Sequence, residues 1–226
     1  MAYTVVLSDT KTVDPAHQRE ILAGVGAEVR ILDEKTEAAV AAAVEGAHGI
    51  VVDAATPVTA RVLAGAETLR VVGRAGIGVD NVDVAAAAEH GITVVNVPDY
   101  ALEEVSTHAF ALLLACVRAI PGYDRSVRAG EWDWRVGAPT RRMAGRTLGL
   151  VGFGGIARRL AAKVRTFGLE VIASDPYVDA TTMRDYGVER VSFEAVLDRA
   201  DYLSVHAPLY EETRGLLSTA EFERLD

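Results

Sequence analysis

The sequence predicts an α/β protein that is built on two parallel, doubly wound sheets. Short apolar runs alternate with segments of helical periodicity from the first residues to about residue 98, and such alternation is typical of parallel sheets with helices on both faces. A second alternation of the same kind begins at Thr147. Its first strand runs into a glycine-rich turn at the start of a helix, an arrangement that suits a phosphate-bearing ligand.

The first alternation contains five strand candidates and four helix candidates. Pro15 follows Asp14 and Pro57 follows Thr56, and each pair is a signal for a helix start or a turn. Gly91 follows the last helix candidate in the position of a C-terminal capping glycine. Five short strands with intervening helices predict a doubly wound sheet of flavodoxin-like order. The strand candidates are Thr4–Leu7, Glu28–Leu32, Gly49–Val52, Arg70–Val72 and Thr93–Val95, and the helix candidates are Pro15–Ala23, Thr36–Glu45, Thr59–Ala64 and Val84–His90.

A long apolar helix is expected over about Leu102–Ile120, ended by Pro121 and Gly122, and an irregular segment is expected over Tyr123–Arg146. The second alternation then supplies four strands, which correspond to the first four of the six in a Rossmann sheet. A capping box that begins at Ser218 predicts one more helix. The strand candidates are Thr147–Val151, Glu170–Ala173, Val188–Val191 and Asp201–Val205, and the helix candidates between them are Ile156–Phe167, Ala180–Tyr186 and Phe193–Arg199.

Composition limits the classes of partner. The chain has 226 residues, half of them apolar, and a net charge of −9 without a basic stripe, so nucleic acid is not an expected partner. No apolar run reaches the length that spans a membrane, and the N-terminus lacks the basic region and cleavage site of a signal peptide. A cytoplasmic protein is therefore expected. The single cysteine, Cys116, leaves no internal disulfide or cysteine-based zinc site, no metal site is expected, and its apolar surroundings predict a buried, inert thiol.

The glycine-rich turn follows the strand candidate that begins at Thr147. Gly152 permits a tight turn, Gly154 lets the backbone approach a pyrophosphate, and Ala157 stands where the third glycine of the fingerprint usually lies. Asp175 comes 18 positions after Ala157, near the usual place of a carboxylate that binds the adenosine ribose. That carboxylate would repel a 2′-phosphate. The pattern therefore predicts NAD rather than NADP, and the alternative is a βαβ turn that binds nothing.

Three stretches carry the motifs of the chain. They are Arg70-Val-Val-Gly-Arg-Ala-Gly-Ile-Gly-Val-Asp-Asn-Val-Asp83, the glycine turn through Asp175, and Ser204-Val-His-Ala-Pro-Leu-Tyr-Glu-Glu-Thr-Arg-Gly-Leu-Leu217. Together, and in this order, they resemble the D-2-hydroxyacid dehydrogenases, the family that contains phosphoglycerate dehydrogenase and the C-terminal-binding-protein corepressors. The resemblance covers essentially the whole chain. The segment from Asn96 to Trp134 is more similar to the corepressor-like bacterial branch than to phosphoglycerate dehydrogenase proper.

The resemblance implies two domains. Residues 1–98 would form the substrate, or lid, domain, and residues 99–226 would form an NAD-binding Rossmann domain that is incomplete at its C-terminus. In the family, one loop binds the substrate carboxylate with backbone N–H groups, and the glycines of such a loop allow its amides to converge on an anion. The matching residues are Arg74, Ala75, Gly76, Ile77 and Gly78. The residues implied to contact the cofactor are Ile77, Gly152, Gly154, Gly155, Ile156, Asp175, His206, Ala207, Pro208 and Thr213.

The resemblance also implies a small 2-hydroxy or 2-keto acid as substrate and a homodimer as the assembly. Trp132 and Trp134 fall in the segment that forms a dimerisation arm in the family, and they pack either on the body of the chain or on a second subunit. Phosphoglycerate dehydrogenases tend to carry an arginine, which helps to hold a phosphate, where this chain has Asp53. An aspartate would repel a phosphate, so 3-phosphoglycerate is not the expected substrate.

The catalytic groups that the resemblance implies are an arginine, a glutamate and a histidine, and all three lie after the point that matches Asp226. No residue of this chain is therefore assigned to catalysis, and neither His108 nor His206 is the family's catalytic histidine. The chain is expected to act in an NAD-dependent 2-hydroxyacid dehydrogenase but to be inactive alone, or else to be a non-catalytic NAD-binding scaffold similar to the corepressors. A third hypothesis is a sensor of two flavodoxin-like domains, which Asp175 disfavours because FMN lacks adenosine.

Overall fold

The structure, a computed structural model, describes residues 3–8 and 14–225. The chain divides into two compact units, Met1–Tyr100 and Ala101–Asp226. Each unit contains one sheet, and the strands of both sheets pair in parallel. The predicted α/β class with two doubly wound parallel sheets is therefore confirmed. The assignment of residues 1–98 to a substrate domain and 99–226 to a nucleotide-binding domain stays a prediction.

The first unit is a five-stranded sheet with helices between the strands. Its strands are β1 (Tyr3–Leu7), β2 (Ala27–Ile31), β3 (Gly49–Val52), β4 (Val71–Arg74) and β5 (Thr93–Val95), and its helices are α1 (Pro15–Ala23), α2 (Glu37–Val44), α3 (Ala60–Ala64) and α4 (Val84–Glu89). The strand order is β2-β1-β3-β4-β5, which is the predicted flavodoxin-like order. The chain changes direction across the sheet between the neighbours β1 and β3, and ligands bind outside the carboxyl ends of strands at such a switch point.

Short polar side chains fix where the helices of the first unit begin. Asp14, Thr36 and Asp83 each accept a hydrogen bond from a backbone N–H two or three residues later, at 2.9, 3.2 and 2.9 Å. The first amides of a helix have no partner within the helix, so these caps satisfy them. The helices pack on strands whose inward side chains, such as Val6 and Ile50, are almost fully buried.

The second unit is a four-stranded sheet with helices on both faces. Its strands are β6 (Thr147–Val151), β7 (Glu170–Ser174), β8 (Glu189–Arg190) and β9 (Tyr202–Val205), and its helices are α5 (Leu102–Val117), α6 (Ile120–Arg128), α7 (Gly155–Arg165), α8 (Ala180–Asp185), α9 (Phe193–Arg199) and α10 (Thr219–Phe222). The order β8-β7-β6-β9 matches the first four strands of the Rossmann order. A Cβ atom on Gly149 of β6 would lie 2.7 Å from Val196 Cγ1. The absence of a side chain at Gly149 therefore allows α9 to pack closely on β6.

The predicted helix Leu102–Ile120 is wrong at its end, and so is the predicted irregular segment Tyr123–Arg146. α5 stops at Val117, Ala119 adopts a left-handed φ of 51°, and α6 begins at Ile120. Pro121 lies in the first turn of α6, where the N–H that proline lacks is not needed, so it begins a helix instead of ending one. Residues 134–137 form a short 3-10 helix.

α5 and α6 also bear on the question of a membrane segment. Within residues 3–8 and 14–225, no single helix is long and apolar enough to cross a membrane. α5 and α6 reach such a length and composition only when they are taken together, and they are bent by 63° at the break between them. The break contains Ala119, whose left-handed backbone turns the chain.

Cys116 is exposed, so the predicted burial of this thiol is wrong. The thiol was predicted to be buried because its neighbours in α5 are apolar, but α5 packs against α7 with only part of its surface. Leu112, one helical turn before Cys116 and on the same side of the helix, is 54% exposed. Both side chains lie on the part of α5 that the second unit leaves uncovered.

We expect the native chain to release one equivalent of thionitrobenzoate per chain from 5,5′-dithiobis(2-nitrobenzoate). Since Cys116 is exposed, its rate should lie within roughly tenfold of that of free cysteine, because access does not limit the reaction. Absorbance at neutral pH measures both the amount and the rate. A Cys116→Ser variant, which has no thiol, is the control. A thiol that reacts only after denaturation would contradict the exposed position.

Trp132 and Trp134 are 94% and 77% exposed. The first of the two alternatives, in which the tryptophans pack on the body of the chain, is therefore wrong. The backbone of the segment is held instead by Tyr123, whose hydroxyl donates a hydrogen bond to the carbonyl oxygen of Trp134 (2.7 Å). Packing of the tryptophans on a second subunit stays a prediction.

Candidate functional site

The first candidate site is the glycine turn between β6 and α7. Gly152 has a left-handed φ of 88°, and its N–H donates a hydrogen bond to the carbonyl oxygen of Ser174 (2.9 Å). A Cβ atom at Gly152 would lie 2.8 Å from the backbone nitrogen of Ala207. The turn is therefore pressed against the backbone that follows β9, and glycine is required there for both its conformation and its size.

The N-terminus of α7 offers amide groups without a side-chain partner. α1, α2, α3, α4, α8 and α9 are each capped by an Asp, Ser or Thr side chain, whereas Gly154 at the start of α7 provides no such cap. A Cβ atom at Gly154 would meet no atom within 4 Å, so the space in front of the helix is open. Free N–H groups and the positive end of an 11-residue helix favour an anion at this place.

The next residues of the turn differ in their surroundings. Ala157 is fully buried in the core of the second unit, so a residue no larger than alanine lets α7 pack closely on the sheet. A Cβ atom at Gly155 would lie 3.1 Å from Leu102 Cδ1, so α5 fills the space beside this residue. Gly155 and Ile156 are both partly exposed in the first turn of α7, where their backbone can face a ligand.

Arg158 braces the turn, and sequence reasoning missed it. Its Nε donates a hydrogen bond to the carbonyl oxygen of Phe153 (3.1 Å). Its guanidinium carbon lies 5.7 Å from the centre of the buried Phe153 ring and 5.4 Å from that of Tyr186, within the range of a cation–π interaction. The two rings themselves meet edge to face at 5.8 Å. Because Tyr186 lies far along the chain, no local pattern could have indicated this cluster.

Asp175 follows β7 and also holds the turn. One of its carboxylate oxygens accepts a hydrogen bond from the backbone N–H of Phe153 (2.7 Å), and the other accepts one from the N–H of Tyr177 (2.8 Å). An ionised carboxylate has about four acceptor positions, so acceptor capacity remains for the hydroxyl groups of a ribose. Sequence reasoning assigned Asp175 to the ribose and missed its role in shaping the turn.

Apart from Ile77, which lies in the loop after β4 and whose contact with a cofactor stays a prediction, the remaining predicted cofactor residues lie after β9. Ala207 contacts the turn at Gly152, as described above. Burial lowers the pKa of the His206 imidazole, which is therefore neutral at neutral pH, and its Nε2 lies 2.9 Å from Ser204 Oγ. The Thr213 hydroxyl donates a hydrogen bond to the carbonyl oxygen of Pro208 (2.6 Å). Thr213 thus closes the loop that contains Pro208, and its contact with a cofactor stays a prediction.

The second candidate site is the loop after β4 in the first unit. The N–H of Ala75 donates to the carbonyl oxygen of Val52, and the N–H of Gly76 donates to that of Arg74, both at 2.8 Å. These two predicted donors are therefore used within the protein. Among the described residues, the N–H groups of Ile77 and Gly78 have no hydrogen-bond acceptor. Of the N–H groups predicted to bind an anion in this loop, those of Ile77 and Gly78 are therefore the ones left available to a ligand within the described residues.

Arg74 lies over this loop. Its Nη1 donates a hydrogen bond to the carbonyl oxygen of Ala75 (3.1 Å), and its Nε is buried without a partner in the described part of the chain. The guanidinium occupies the space that Gly76 leaves, since a Cβ atom there would fall 1.3 Å from Nη1. Arg74 forms no ion pair with any described residue. Its positive charge can therefore act on an anion at the loop.

Asn81 ties the loop to the end of the neighbouring strand, and sequence reasoning missed it. Its Nδ2 donates hydrogen bonds to the carbonyl oxygens of Asp53 (2.9 Å) and Thr56 (2.6 Å). Its Oδ1 is buried and has no partner among the described residues. Asn81 belongs to the first stretch that carried the resemblance, so a signal was present, but the acceptors lie more than twenty residues earlier in the chain.

Comparison with known proteins places these sites in context. Residues 110–226 match the family model described as D-isomer specific 2-hydroxyacid dehydrogenase, NAD binding domain, in agreement with the cofactor predicted from the glycine turn. D-3-phosphoglycerate dehydrogenase from Mycobacterium leprae is 44% identical over 190 residues, which cover 84% of this chain and 36% of that protein. D-3-phosphoglycerate dehydrogenase from Rattus norvegicus is 34% identical over 218 residues, which cover 96% of this chain and 40% of that protein.

A solved structure gives the same picture at the level of the fold. NAD-dependent formate dehydrogenase from Staphylococcus aureus, in complex with NAD, superposes with a TM-score of 0.88 at 26% identity and covers 98% of this chain and 70% of its own. The chain spans between about a third and two fifths of the length of the curated relatives described above. The names of the two D-3-phosphoglycerate dehydrogenases specify a phosphorylated substrate, whereas the name of the formate dehydrogenase specifies a substrate without a phosphate.

Proposed function

Because the chain belongs to the D-isomer specific 2-hydroxyacid dehydrogenase family, we propose that it takes part in reversible hydride transfer between a small 2-hydroxy acid and the matching 2-keto acid, with NAD as the cofactor. The observation that carries the proposal is the uncapped N-terminus of α7 behind the open space at Gly154. An uncapped helix start with room for a ligand is what a pyrophosphate requires.

The residues of the turn fit NAD. The amides of Gly154, Gly155 and Ile156 would bind the pyrophosphate, and the free acceptor capacity of Asp175 would bind the adenosine ribose. The backbone at Ala207 and Pro208 would line the adenine. When bound, NAD supplies the nicotinamide that accepts or returns the hydride.

The free amides of Ile77 and Gly78 would bind the acid through its carboxylate. Two adjacent N–H donors and the guanidinium of Arg74 supply charge-assisted hydrogen bonds to an anion. The carbonyl groups of the loop are held in place, since Gly76 O accepts from the N–H of Val97 (3.0 Å) and Ile77 O accepts from Nδ2 of Asn96 (2.7 Å). A loop whose carbonyls are fixed in this way keeps its amides directed at the ligand, which favours binding without rearrangement.

The reaction also needs a base for the hydroxyl proton and a group that polarises the carbonyl. The resemblance assigns these roles to residues after the point that matches Asp226, so the activity is proposed for a protein that carries them. The 226-residue chain alone is proposed to bind NAD and acid without turnover. The proposed assembly is a homodimer, supported by the exposure of Trp132 and Trp134, because large exposed aromatic side chains are typical of interfaces.

We expect the chain to bind NADH at least roughly tenfold more tightly than NADPH, because the Asp175 carboxylate would lie against the 2′-phosphate of NADPH. Titrations that follow nicotinamide fluorescence measure both dissociation constants. Asp175→Asn should reduce this preference, and Asp198→Asn, which removes an exposed carboxylate paired with Arg224 in the same unit, should leave it unchanged. NADPH binding as tight as NADH binding, or no saturable NADH signal, would refute the cofactor part of the proposal.

The acid part of the proposal has a separate test. Addition of glycolate or D-lactate to the NADH-loaded chain should shift the amide resonances of Ile77 and Gly78 in a saturable way, whereas the amides of Ala75 and Gly76, already hydrogen-bonded, should move less. Binding of NADH without any saturable shift of these amides would favour the alternative of a non-catalytic NAD-binding scaffold.

A further inference from the structure

The first sheet ends on one side at β2, and the outer edge of this strand is unpaired. β2 pairs with β1 on its inner side and, within the described residues, with no further strand. With five residues it is longer than β5, β8 and β9, which form the other edges of the two sheets. An unpaired edge of this length presents a row of N–H and C=O groups to which another strand can bond.

The register with β1 shows which backbone groups of β2 point outward. Leu7 lies opposite Ile31, and its carbonyl oxygen accepts a hydrogen bond from the N–H of Leu32 (2.9 Å). Along a strand, residues that bond to one neighbour alternate with residues that point away from it. The groups that point outward therefore belong to Ala27, Val29 and Ile31. None of these three N–H groups has an acceptor among the described residues.

The two faces of β2 differ in the side chains that they carry. Arg30 lies on the face that α2 covers, because its Nη1 donates hydrogen bonds to the carbonyl oxygens of Ala43 (2.9 Å) and Glu45 (3.3 Å). Glu28 lies two residues earlier and so on the same face, and both charged side chains are exposed. The residues of the opposite face are apolar and half-buried: Ala27, Val29 and Ile31.

Antiparallel pairing of β2 with the β2 of a second copy would bring opposite charges together. Val29 is the middle residue of the strand, so a two-fold axis at Val29 places Glu28 of each copy opposite Arg30 of the other. Charges on an edge strand hinder pairing when like charges meet, whereas opposite charges across two strands attract. This register forms the attractive pair twice.

The backbone geometry favours these charge pairs. Glu28 and Arg30 direct their N–H and C=O groups toward β1, so across the new pairing they are non-hydrogen-bonded pairs, in which side chains lie closest. Nε and Nη2 of Arg30 have no acceptor among the described residues and can therefore bind a carboxylate. The outward groups of Val29 would bond to Val29 of the second copy, and those of Ala27 to Ile31.

Exposed apolar side chains lie close to the same strand. α1 packs on β2, and Ile21 in this helix is 60% exposed. Val25, two residues before β2 begins, is 68% exposed. Aliphatic surface of this kind beside an open sheet edge is typical of a surface that an assembly covers.

We infer that the outer edge of β2 is an interface between two copies of this chain, which pair antiparallel about Val29 and join their first sheets into one. This interface is separate from the proposed packing of Trp132 and Trp134, which belong to the second unit. Either interface can therefore fail without the other.

Amide hydrogen exchange of the 226-residue chain tests the position of the interface. The N–H groups of Val29 and Ile31 should exchange at least roughly tenfold more slowly at millimolar than at low micromolar protein concentration, because the second copy protects them. The N–H of Arg30, which bonds to β1 in either state, is the control and should change little. Fast exchange at every concentration, or slow exchange in a chain that sediments as a monomer, would overturn the inference.

Two single variants test the charge pairs. Glu28→Arg places an arginine opposite Arg30, and Arg30→Glu places a glutamate opposite Glu28, so each variant alone should lose the concentration-dependent protection. An equimolar mixture should regain it to within about threefold of the unmodified chain, because each charge again faces its opposite. Chemical denaturation checks that both variants are folded. A mixture of folded variants that stays unprotected would overturn the inference.

The salt dependence needs only Glu28→Arg and decides the case even if Arg30→Glu does not fold. Screening removes an attraction in the unmodified chain and a repulsion in Glu28→Arg, so added sodium chloride should weaken protection in the first and strengthen it in the second. Glu67→Arg makes the same change of charge at an exposed position outside β2 and should behave as the unmodified chain does. The same salt response in Glu28→Arg and Glu67→Arg would overturn the inference.

Discussion

Replacement of Gly152 by alanine is expected to lower the free energy of unfolding by roughly 3 kcal/mol and to abolish measurable NADH binding. The residue has a left-handed φ of 88°, which costs an L-residue about 1–2 kcal/mol. The new Cβ atom would also lie 2.8 Å from the backbone nitrogen of Ala207 and 2.9 Å from the carbonyl carbon of His206. Backbone cannot rotate away as a side chain can, so overpacking adds about 1–3 kcal/mol.

Chemical denaturation measures the stability of Gly152→Ala, and nicotinamide fluorescence measures its affinity for NADH. Gly154→Ala is the matched control, because Gly154 has an ordinary φ of −78° and no atom within 4 Å of a Cβ. Its free energy of unfolding should stay within about 0.5 kcal/mol of that of the unmodified chain. Its affinity for NADH should still fall roughly tenfold, since the methyl group fills the space that the pyrophosphate would approach.

The pair of variants separates folding from binding at one turn. If Gly152→Ala kept the full stability of the unmodified chain, this result would contradict the close contact between the turn and the backbone after β9. If Gly154→Ala bound NADH as tightly as the unmodified chain does, the open space in front of α7 would not be the pyrophosphate site.

Asn81→Asp is expected to have the second largest effect, a loss of roughly 3 kcal/mol in the free energy of unfolding. The side-chain nitrogen of Asn81 donates two hydrogen bonds to carbonyl oxygens, at 2.9 and 2.6 Å. An aspartate would set a negative oxygen against these two acceptors in a partly buried place, which removes both bonds and leaves a charge without a partner. Asn81→Ala removes the bonds without adding a charge and should lose about 2 kcal/mol.

Thermal and chemical denaturation of the two Asn81 variants give the comparison. Asn96→Asp is the control, because Asn96 is exposed and its amide donates a single hydrogen bond, to the carbonyl oxygen of Ile77. The Asn96→Asp variant should lose less than about 1 kcal/mol in the free energy of unfolding. An Asn81→Asp protein as stable as the control variant would show that Asn81 does not fasten the acid-binding loop to β3.

Most of the architecture was predictable because its signals are local. Apolar periodicity indicated both alternations of strand and helix, and the capping residues Asp14, Thr36 and Asp83 lie where the helices begin. The prediction failed where a local signal has two meanings. Pro121 was interpreted as the end of a helix, although proline is equally suited to the first turn of one, and Ala119 supplied the turn that the sequence did not reveal.

The candidate sites were predictable only as positions along the chain. The glycine turn and the loop after β4 could be located, since glycine at a strand end is a local feature. Which amides of that loop are free could not be inferred, because the acceptor for Ala75 is Val52 on a different strand. Cys116 shows the same limit, since an apolar helix does not reveal which of its faces a neighbour covers.

The sequence by itself determined the order of the strands and helices, the place of the glycine turn and the cofactor it suits, because periodicity, turn chemistry and helix capping act over a few residues. Only the tertiary structure decided that Ile77 and Gly78 carry the free amides, that Asp175 braces the turn, and that Arg158 packs its charge on the rings of Phe153 and Tyr186. These properties depend on hydrogen-bond partners and charges that come from distant parts of the chain, so they exist only once the strands have been brought side by side.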